Sequence, residues 1–152
     1  MEEGGKVAQD LAYSLRPETG VQGGGGGLDA ACRALVHPIE KVAGRRVTSP
    51  GVLEAAKMVF AGQLHTDLLA DLRAAGLPCV GVSGIDAQLI TAAKRPPVHL
   101  VADGESLGQW VDFGEVGEIQ AVDPGLLYHL LAGRYVPVVA PLTGNDAGEV
   151  FN

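Results

Sequence analysis

Five consecutive glycines, Gly23 to Gly27, lie between Val21-Gln22 and Leu28, and no other stretch of the chain restricts the possible folds so strongly. Without Cβ atoms these residues can follow almost any backbone path, since both signs of φ are open to them. Directly after them, Leu28, Ala31, Cys32, Leu35 and Val36 recur at i, i+3, i+4, i+7 and i+8, which predicts one face of a helix. A glycine loop that feeds a helix start presents unpaired N–H groups and the positive end of a helix dipole, and together these favour an anion. The same stretch also reads as a flexible linker before a surface helix, because it matches neither the Walker spacing nor GxGxxG in a distinctive way. Both readings stand at this point.

A chain of 152 residues is long enough for one domain with a closed core. Hydrophobic residues make up 47% and aromatic residues only 5%, and the abundance of Ala, Val, Leu and Gly favours α/β layers. The 18 acidic against 11 basic residues leave a formal charge of −7. That argues against a nucleic-acid partner, for which a basic face is expected, and still allows one small anion to be held locally. Cys32 and Cys79 read as buried free thiols, which points to a reducing compartment. No apolar run approaches the ~20 residues of a membrane span, and Met1-Glu2-Glu3 opens no signal-peptide pattern. A cytoplasmic protein with no membrane partner is expected.

In chain order, Val7, Leu11 and Leu15 hint at a short helix, and Arg16 to Gly20 then lead to the glycines without the apolar run of a buried strand. Pro38 stops the first helix, and Lys41 to Thr48 reads as a basic loop. Ser49-Pro50 predicts a helix start, with Ser as N-cap and Pro at N1. The apolar stripe from Val52 to Leu72 continues that helix to Gly76 as C′ residue, with a bend expected at Gly62. Pro78 to Val82 is a buried-strand run that empties into Ser83-Gly84-Ile85-Asp86, the kind of loop where open α/β sheets place ligands. Val98, Leu100 and Ala102 alternate up to the turn signal Asp103-Gly104, Trp110 to Phe113 resume the extended pattern, and Val116 to Ile119 form a third short piece. Asp123-Pro124 opens a helix bearing Leu126, Leu127, Leu130 and Leu131, ended by Gly133. Val136 to Leu142 is a second buried strand, followed by a turn at 144–148 and the start of a further strand.

These motifs, in this order, resemble the amino-acid kinase family, and within it the acetylglutamate kinases of arginine biosynthesis. The family's His-Gly-Gly-Gly-Pro-Gln-Leu lies over Gln22 to Leu28, its Gly-Leu-Arg-Val-Thr over Gly44 to Thr48, and its Met-Val-Leu-Ala-Gly over Met58 to Gly62. Gly-Leu-Ser-Gly-x-Asp matches Gly81 to Asp86, Gly-x-Val-Gly-Glu matches Gly114 to Glu118, and Tyr-x-Pro-Val-x-Ala-Pro matches Tyr135 to Pro141. The resemblance implies a three-layer α/β sandwich with a mainly parallel sheet and an antiparallel hairpin insert, incomplete in this chain. Residues 1–20 would be a divergent N-terminal segment, and 21–152 the acetylamino-acid-binding domain.

The activity implied is ATP-dependent phosphorylation, with Mg²⁺, of the side-chain carboxylate of N-acetyl-L-glutamate, by proteins that form homo-oligomers. Gly23 and Gly24 would donate N–H groups to the phosphoryl and acceptor oxygens. Arg46 would grip the α-carboxylate, and Asn152 would bind the acetylglutamate. The family's first strand bears Lys-x-Gly-Gly; here Gly4-Gly5-Lys6 reverses the order, so that role is not carried to Lys6. No catalytic residue and no metal ligand is assigned. The chain reaches Asn152 before the family's organising aspartate and its nucleotide-binding half, so the substrate-binding half is what is expected here. Two alternatives remain open: a non-catalytic acetylglutamate-binding or oligomer-partner module, and a kinase of carrier-linked aminoadipate in lysine biosynthesis. His37, His65, His99 and His129 show no metal spacing. Ser83 lacks a His/Asp partner, Asp86 reads as loop cap or ligand, and Cys79 reads as core.

Overall fold

Leu28 and Cys32, one helical turn apart, are both fully buried, and their helix sets the first layer of the core. In the computed structural model, which describes residues 25–35, 37–101 and 108–152, helix α1 runs over Gly25–Ala34. The helix therefore starts inside the glycine run, with Gly25, Gly26 and Gly27 as its first turn, earlier than the apolar periodicity alone predicted. Leu35 lies beyond its end and is 43% exposed, so the buried stripe is shorter than expected.

The segment read as a basic loop is a hairpin. Strands β1 (Lys41–Val42) and β2 (Arg45–Arg46) pair antiparallel, with Lys41 opposite Arg46. Ala43 and Gly44 both take positive φ, 48° and 76°, which is the primed turn that matches the twist of two adjacent strands. Two-residue strands carry too little periodicity to be read from sequence.

Ser49 caps the next helix as expected: its Oγ accepts the Val52 N–H at 3.3 Å, and Pro50 stands at the helix start. The helical path then continues through α2 (Pro50–Ala56), a wider π-helical stretch over Lys57–Gln63, and α3 (Leu64–Ala74). Gly62 falls within the π-helical stretch, and a side chain there would meet nothing within 4 Å. At the far end Gly76 adopts φ +80°, while its N–H bonds Arg73 O and the Leu77 N–H bonds Leu72 O, a closure that satisfies the last carbonyls. Val52, Ala55, Ala56 and Val59 pack with Leu28 and Cys32, edged by Ala31, Ile39, Phe60 and Leu64. Fully burying Leu28 alone contributes roughly 1.5–3 kcal/mol.

The strands form three further units. β3 (Cys79–Ser83) pairs parallel with β8 (Val136–Ala140), from Cys79 opposite Val136 to Ser83 opposite Ala140. α3 packs on both strands, and α4 (Gly125–Ala132) packs on β8. The second sheet contains β4 (Ile90–Lys94), β7 (Gly117–Val122), β9 (Thr143–Gly144) and β10 (Val150–Phe151) in the order β10-β9-β4-β7. Within it β4 runs parallel to β9 and antiparallel to β7. β5 (Val98–Leu100) and β6 (Gln109–Val111) make the expected antiparallel hairpin; its turn signal at Asp103-Gly104, like the short helix expected around Val7 to Leu15, lies outside the described residues. Leu89, Ala92, Phe113, Leu142 and Phe151 are buried around these strands.

The whole is the α/β architecture expected, with parallel pairing and antiparallel strands beside it. β4 was missed: Ile-Thr-Ala-Ala-Lys has one large apolar residue, yet it pairs on both sides. The last helix also departs in detail. Asp123 Oδ1 accepts the Gly125 N–H at 2.9 Å, but the helix begins after Pro124; Gly133 caps its end as expected, and the residue after it, Arg134, takes the left-handed conformation (φ 63°). No helix among the described residues is long and apolar enough to cross a membrane.

Candidate functional site

Thr48 is the buried centre of the candidate site, with only 1% of its surface exposed. Its backbone continues from the β1–β2 hairpin and forms a parallel bridge with Gly114. The Thr48 N–H bonds Phe113 O at 2.8 Å, and Thr48 O accepts the Glu115 N–H at 2.7 Å. Gly114 has φ +76°, and a Cβ there would run into the Thr48 carbonyl, so the close approach of these two segments requires glycine. On the other side, the Asn152 N–H bonds Glu115 O at 3.0 Å and Asn152 O accepts the Gly117 N–H at 3.1 Å. The Asn152 Nδ2 then reaches Thr48 Oγ1 at 3.5 Å.

Of the four residues singled out in the sequence, Arg46 and Asn152 are described, and each relates to Thr48 in its own way. Arg46 is two residues before Thr48 on the same extended segment, and Asn152 touches Thr48 from the strand that follows the β9–β10 turn. Gly23 and Gly24 lie outside the described residues. The helix they lead into is described, however, and it is the helix that Arg46 bonds.

That bond goes to Asp29, one turn into α1. Arg46 donates from Nε to Asp29 Oδ1 at 3.1 Å and forms a closer ion pair with the same oxygen through Nη2. Lys41 Nζ donates to Asp29 Oδ2 at 2.9 Å. The Lys41 ammonium first, and the Arg46 guanidinium second, hold the Asp29 carboxyl below its usual range. A second ion pair, Lys94 with Glu115 at 3.1 Å, joins β4 to the segment that bonds Asn152, and the Glu115 carboxylate raises the Lys94 ammonium above its ordinary value. Sequence reading missed Asp29 and Thr48 as members of this arrangement. Thr48 stood in a quoted motif, but nothing in the spacing joined Asp29 to a basic segment 12 to 17 residues away.

The other candidates have structural roles. Ser83 donates from its N–H at 2.6 Å and its Oγ at 2.7 Å to Asp86 Oδ2, so Asp86 caps the strand loop, and these bonds lower its pKa. His65 Nε2 lies 3.0 Å from Val138 O, tying α3 to β8. Cys79 donates its thiol to Leu69 O at 3.6 Å, and both cysteines are free. A cleft of about 390 Å³ opens between the 85–91 segment and the 144–148 turn, and Arg46 is not among its lining residues.

The profile described as amino acid kinase family matches residues 8–152. An acetylglutamate kinase of Myxococcus xanthus is 59% identical over 97% of this chain and 47% of its own length. One of Methanoculleus marisnigri is 40% identical over 87% and 45%. The chain spans about half the length of the curated relatives it matches. Among solved structures, a Streptococcus mutans protein superposes with a TM-score of 0.67 over 84% of this chain and 47% of its own, at 21% identity, a likeness of fold alone. An N-acetylglutamate synthase of Neisseria gonorrhoeae, complexed with coenzyme A and N-acetyl-glutamate, superposes with a TM-score of 0.59 at 26% identity, over 82% of this chain and 26% of its own.

Proposed function

The chain belongs to the amino acid kinase family, and from that premise we propose that Arg46 and Asn152, set about Thr48, form part of the N-acetyl-L-glutamate pocket of an acetylglutamate kinase. The observation that carries the reading is the contact of Asn152 with Thr48 across 104 positions of the chain, two residues after Arg46 on the segment that carries it.

In the reaction proposed, an oxygen of the substrate's side-chain carboxylate attacks the terminal phosphorus of ATP, the bond to ADP breaks, and an acyl phosphate results. Such a transfer asks the protein mainly for alignment and for donors that hold spreading negative charge. Arg46 takes the α-carboxylate, for which a planar guanidinium offers a paired geometry that an ammonium lacks. Asn152 addresses the acetylated end through its amide. Gly23 and Gly24 supply backbone N–H groups toward the transferred phosphoryl and the acceptor oxygens, next to the start of α1. Among the described residues no three His, Cys, Asp or Glu side chains gather as a metal site. Mg²⁺ in such a transfer is held mainly by the nucleotide phosphates and water rather than by a cage of protein ligands, and no step here is routed through it. Nucleotide binding is assigned to the remainder of the full-length protein, and the setting to the cytoplasm.

Calorimetric titration tests the pocket. N-acetyl-L-glutamate gives a saturable heat with this chain, and Arg46→Ala abolishes it; absence of heat at millimolar ligand contradicts the reading. A second reading, a non-catalytic acetylglutamate-binding module, draws on the Neisseria synthase, whose likeness to this chain shows the fold serving outside kinases. Trapping of acyl phosphate with hydroxylamine separates the two. The 152-residue chain with ATP gives none by itself, and the full-length protein gives it only under the kinase reading.

A further inference from the structure

We propose that Asp29 is a positioning residue for this pocket: by bridging Lys41 and Arg46 it fixes the plane of the Arg46 guanidinium before a ligand carboxylate arrives. The inference rests on the reading of Arg46 as a carboxylate fork and adds the device that aims it.

The geometry is that of a bridge. One carboxylate oxygen takes Arg46 through Nε and Nη2, and the other takes Lys41. Lys41 and Arg46 stand directly opposite each other in the hairpin, where like charges destabilise the pairing. Asp29 lies between the two and offsets one of the charges. It is delivered by a helix whose flanking residues Leu28 and Cys32 are fully buried, so the carboxylate is on a rigid element. The Asp29 and Arg46 side chains are 17% and 16% exposed, against 48% for Lys41. The sheltered contact is therefore the one to the guanidinium, and Lys41 closes the bridge from the solvent side.

Two effects oppose each other when a ligand carboxylate approaches. Asp29 repels it, and Asp29 also withdraws the rotamer freedom of a long side chain beforehand. Asp29 balances only one of the Lys41 and Arg46 charges, and preorganisation of an immobilised side chain is worth roughly a tenfold change in affinity. The opposite arrangement, Asp29 as a latch that competes with the ligand, predicts the reverse sign on its removal.

The test uses the 152-residue chain, N-acetyl-L-glutamate, and the variants Asp29→Asn and Asp29→Glu. By NMR the Arg46 Nε–H is protected from exchange in the wild type and in Asp29→Glu, and unprotected in Asp29→Asn. By calorimetry Asp29→Asn binds about tenfold more weakly, and Asp29→Glu recovers most of the loss. Equal or tighter binding by Asp29→Asn overturns the proposal. Should Asp29→Asn fail to fold, Lys41→Met, which releases one oxygen of the bridge, weakens binding about two- to threefold, and no change there overturns it. A wild type that gives no heat while its Nε–H stays protected overturns the pocket reading and the positioning role with it, but not the bridge. Loss of protection in the wild type overturns the bridge itself.

Discussion

Asn152 and Thr48, 104 residues apart in sequence, meet side chain to side chain, the amide Nδ2 donating to the hydroxyl Oγ1 at 3.5 Å. The contact closes a circuit in which the Thr48 backbone bonds Phe113 and Glu115, and the Glu115 carbonyl bonds the Asn152 N–H. Replacing Thr48 by Val keeps the shape of this buried residue and removes the acceptor. A lost hydrogen bond of this kind costs about 1 kcal/mol. Thr48→Val is expected to lower stability to urea by about that much and to weaken N-acetyl-L-glutamate binding several-fold. Unchanged binding would show that Asn152 needs no help from Thr48.

Gly114 and Gly44 share φ +76° but differ in surroundings: a Cβ at Gly114 runs into the Thr48 carbonyl, while one at Gly44 meets nothing within 4 Å. Gly44→Ala bears only the left-handed penalty, about 1–2 kcal/mol. Gly114→Ala adds overpacking of about 1–3 kcal/mol, and it pushes on the segment that carries Arg46. Chemical denaturation of the two variants should rank them in that order, with ligand binding lost in Gly114→Ala alone.

The acid limb of stability follows from Asp29. Its carboxyl is held below the ordinary value of 3.8 by Lys41 and Arg46. A depressed folded-state pKa gives stability that is complete above the unfolded value and is lost as pH falls through the folded one. Asp86, lowered by its bonds from Ser83, acts in the same direction. Stability measured from pH 6 downward should therefore be flat until about pH 4 and then fall. In Asp29→Asn the level above pH 4 is lower and the acid slope shallower. A variant with the wild-type slope would remove Asp29 as its source.

Arg134 ends α4 with φ 63°, in the role that Gly76 fills for α3. A residue with a Cβ is disfavoured there by about 1–2 kcal/mol, and the bonds that close the helix are backbone ones, from the Arg134 and Tyr135 N–H groups to Leu131 and Leu130. Arg134→Gly should stabilise the chain by about 1 kcal/mol, visible as a higher urea midpoint at constant slope.

What the sequence disclosed, and what it concealed, follows from the range of the interactions. The long helix was legible because Ser49, Pro50 and Gly76 mark its ends chemically and its stripe repeats many times. Cys79–Ser83 and Val136–Ala140 were legible because parallel strands are continuous apolar runs. β4 was not, because Ala92 and Ala93 are small and the strand is recognised by its neighbours. The hairpin at 41–46 rests on two backbone angles, and the left-handed turn at Arg134, just past the expected helix end at Gly133, falls on a residue type that does not announce it. In the site, family motifs singled out Arg46 and Asn152, whereas Asp29 emerges only when α1 and the hairpin are placed together.

The claim on which the functional reading depends is that Arg46 and Asn152 serve one ligand. An NMR titration of the chain with N-acetyl-L-glutamate, following the Arg46 Nε–H and the Asn152 Nδ2 amide resonances, addresses it directly. Both signals are predicted to shift along curves that give the same dissociation constant. Movement of one without the other, or of neither at saturating ligand, would contradict the shared pocket.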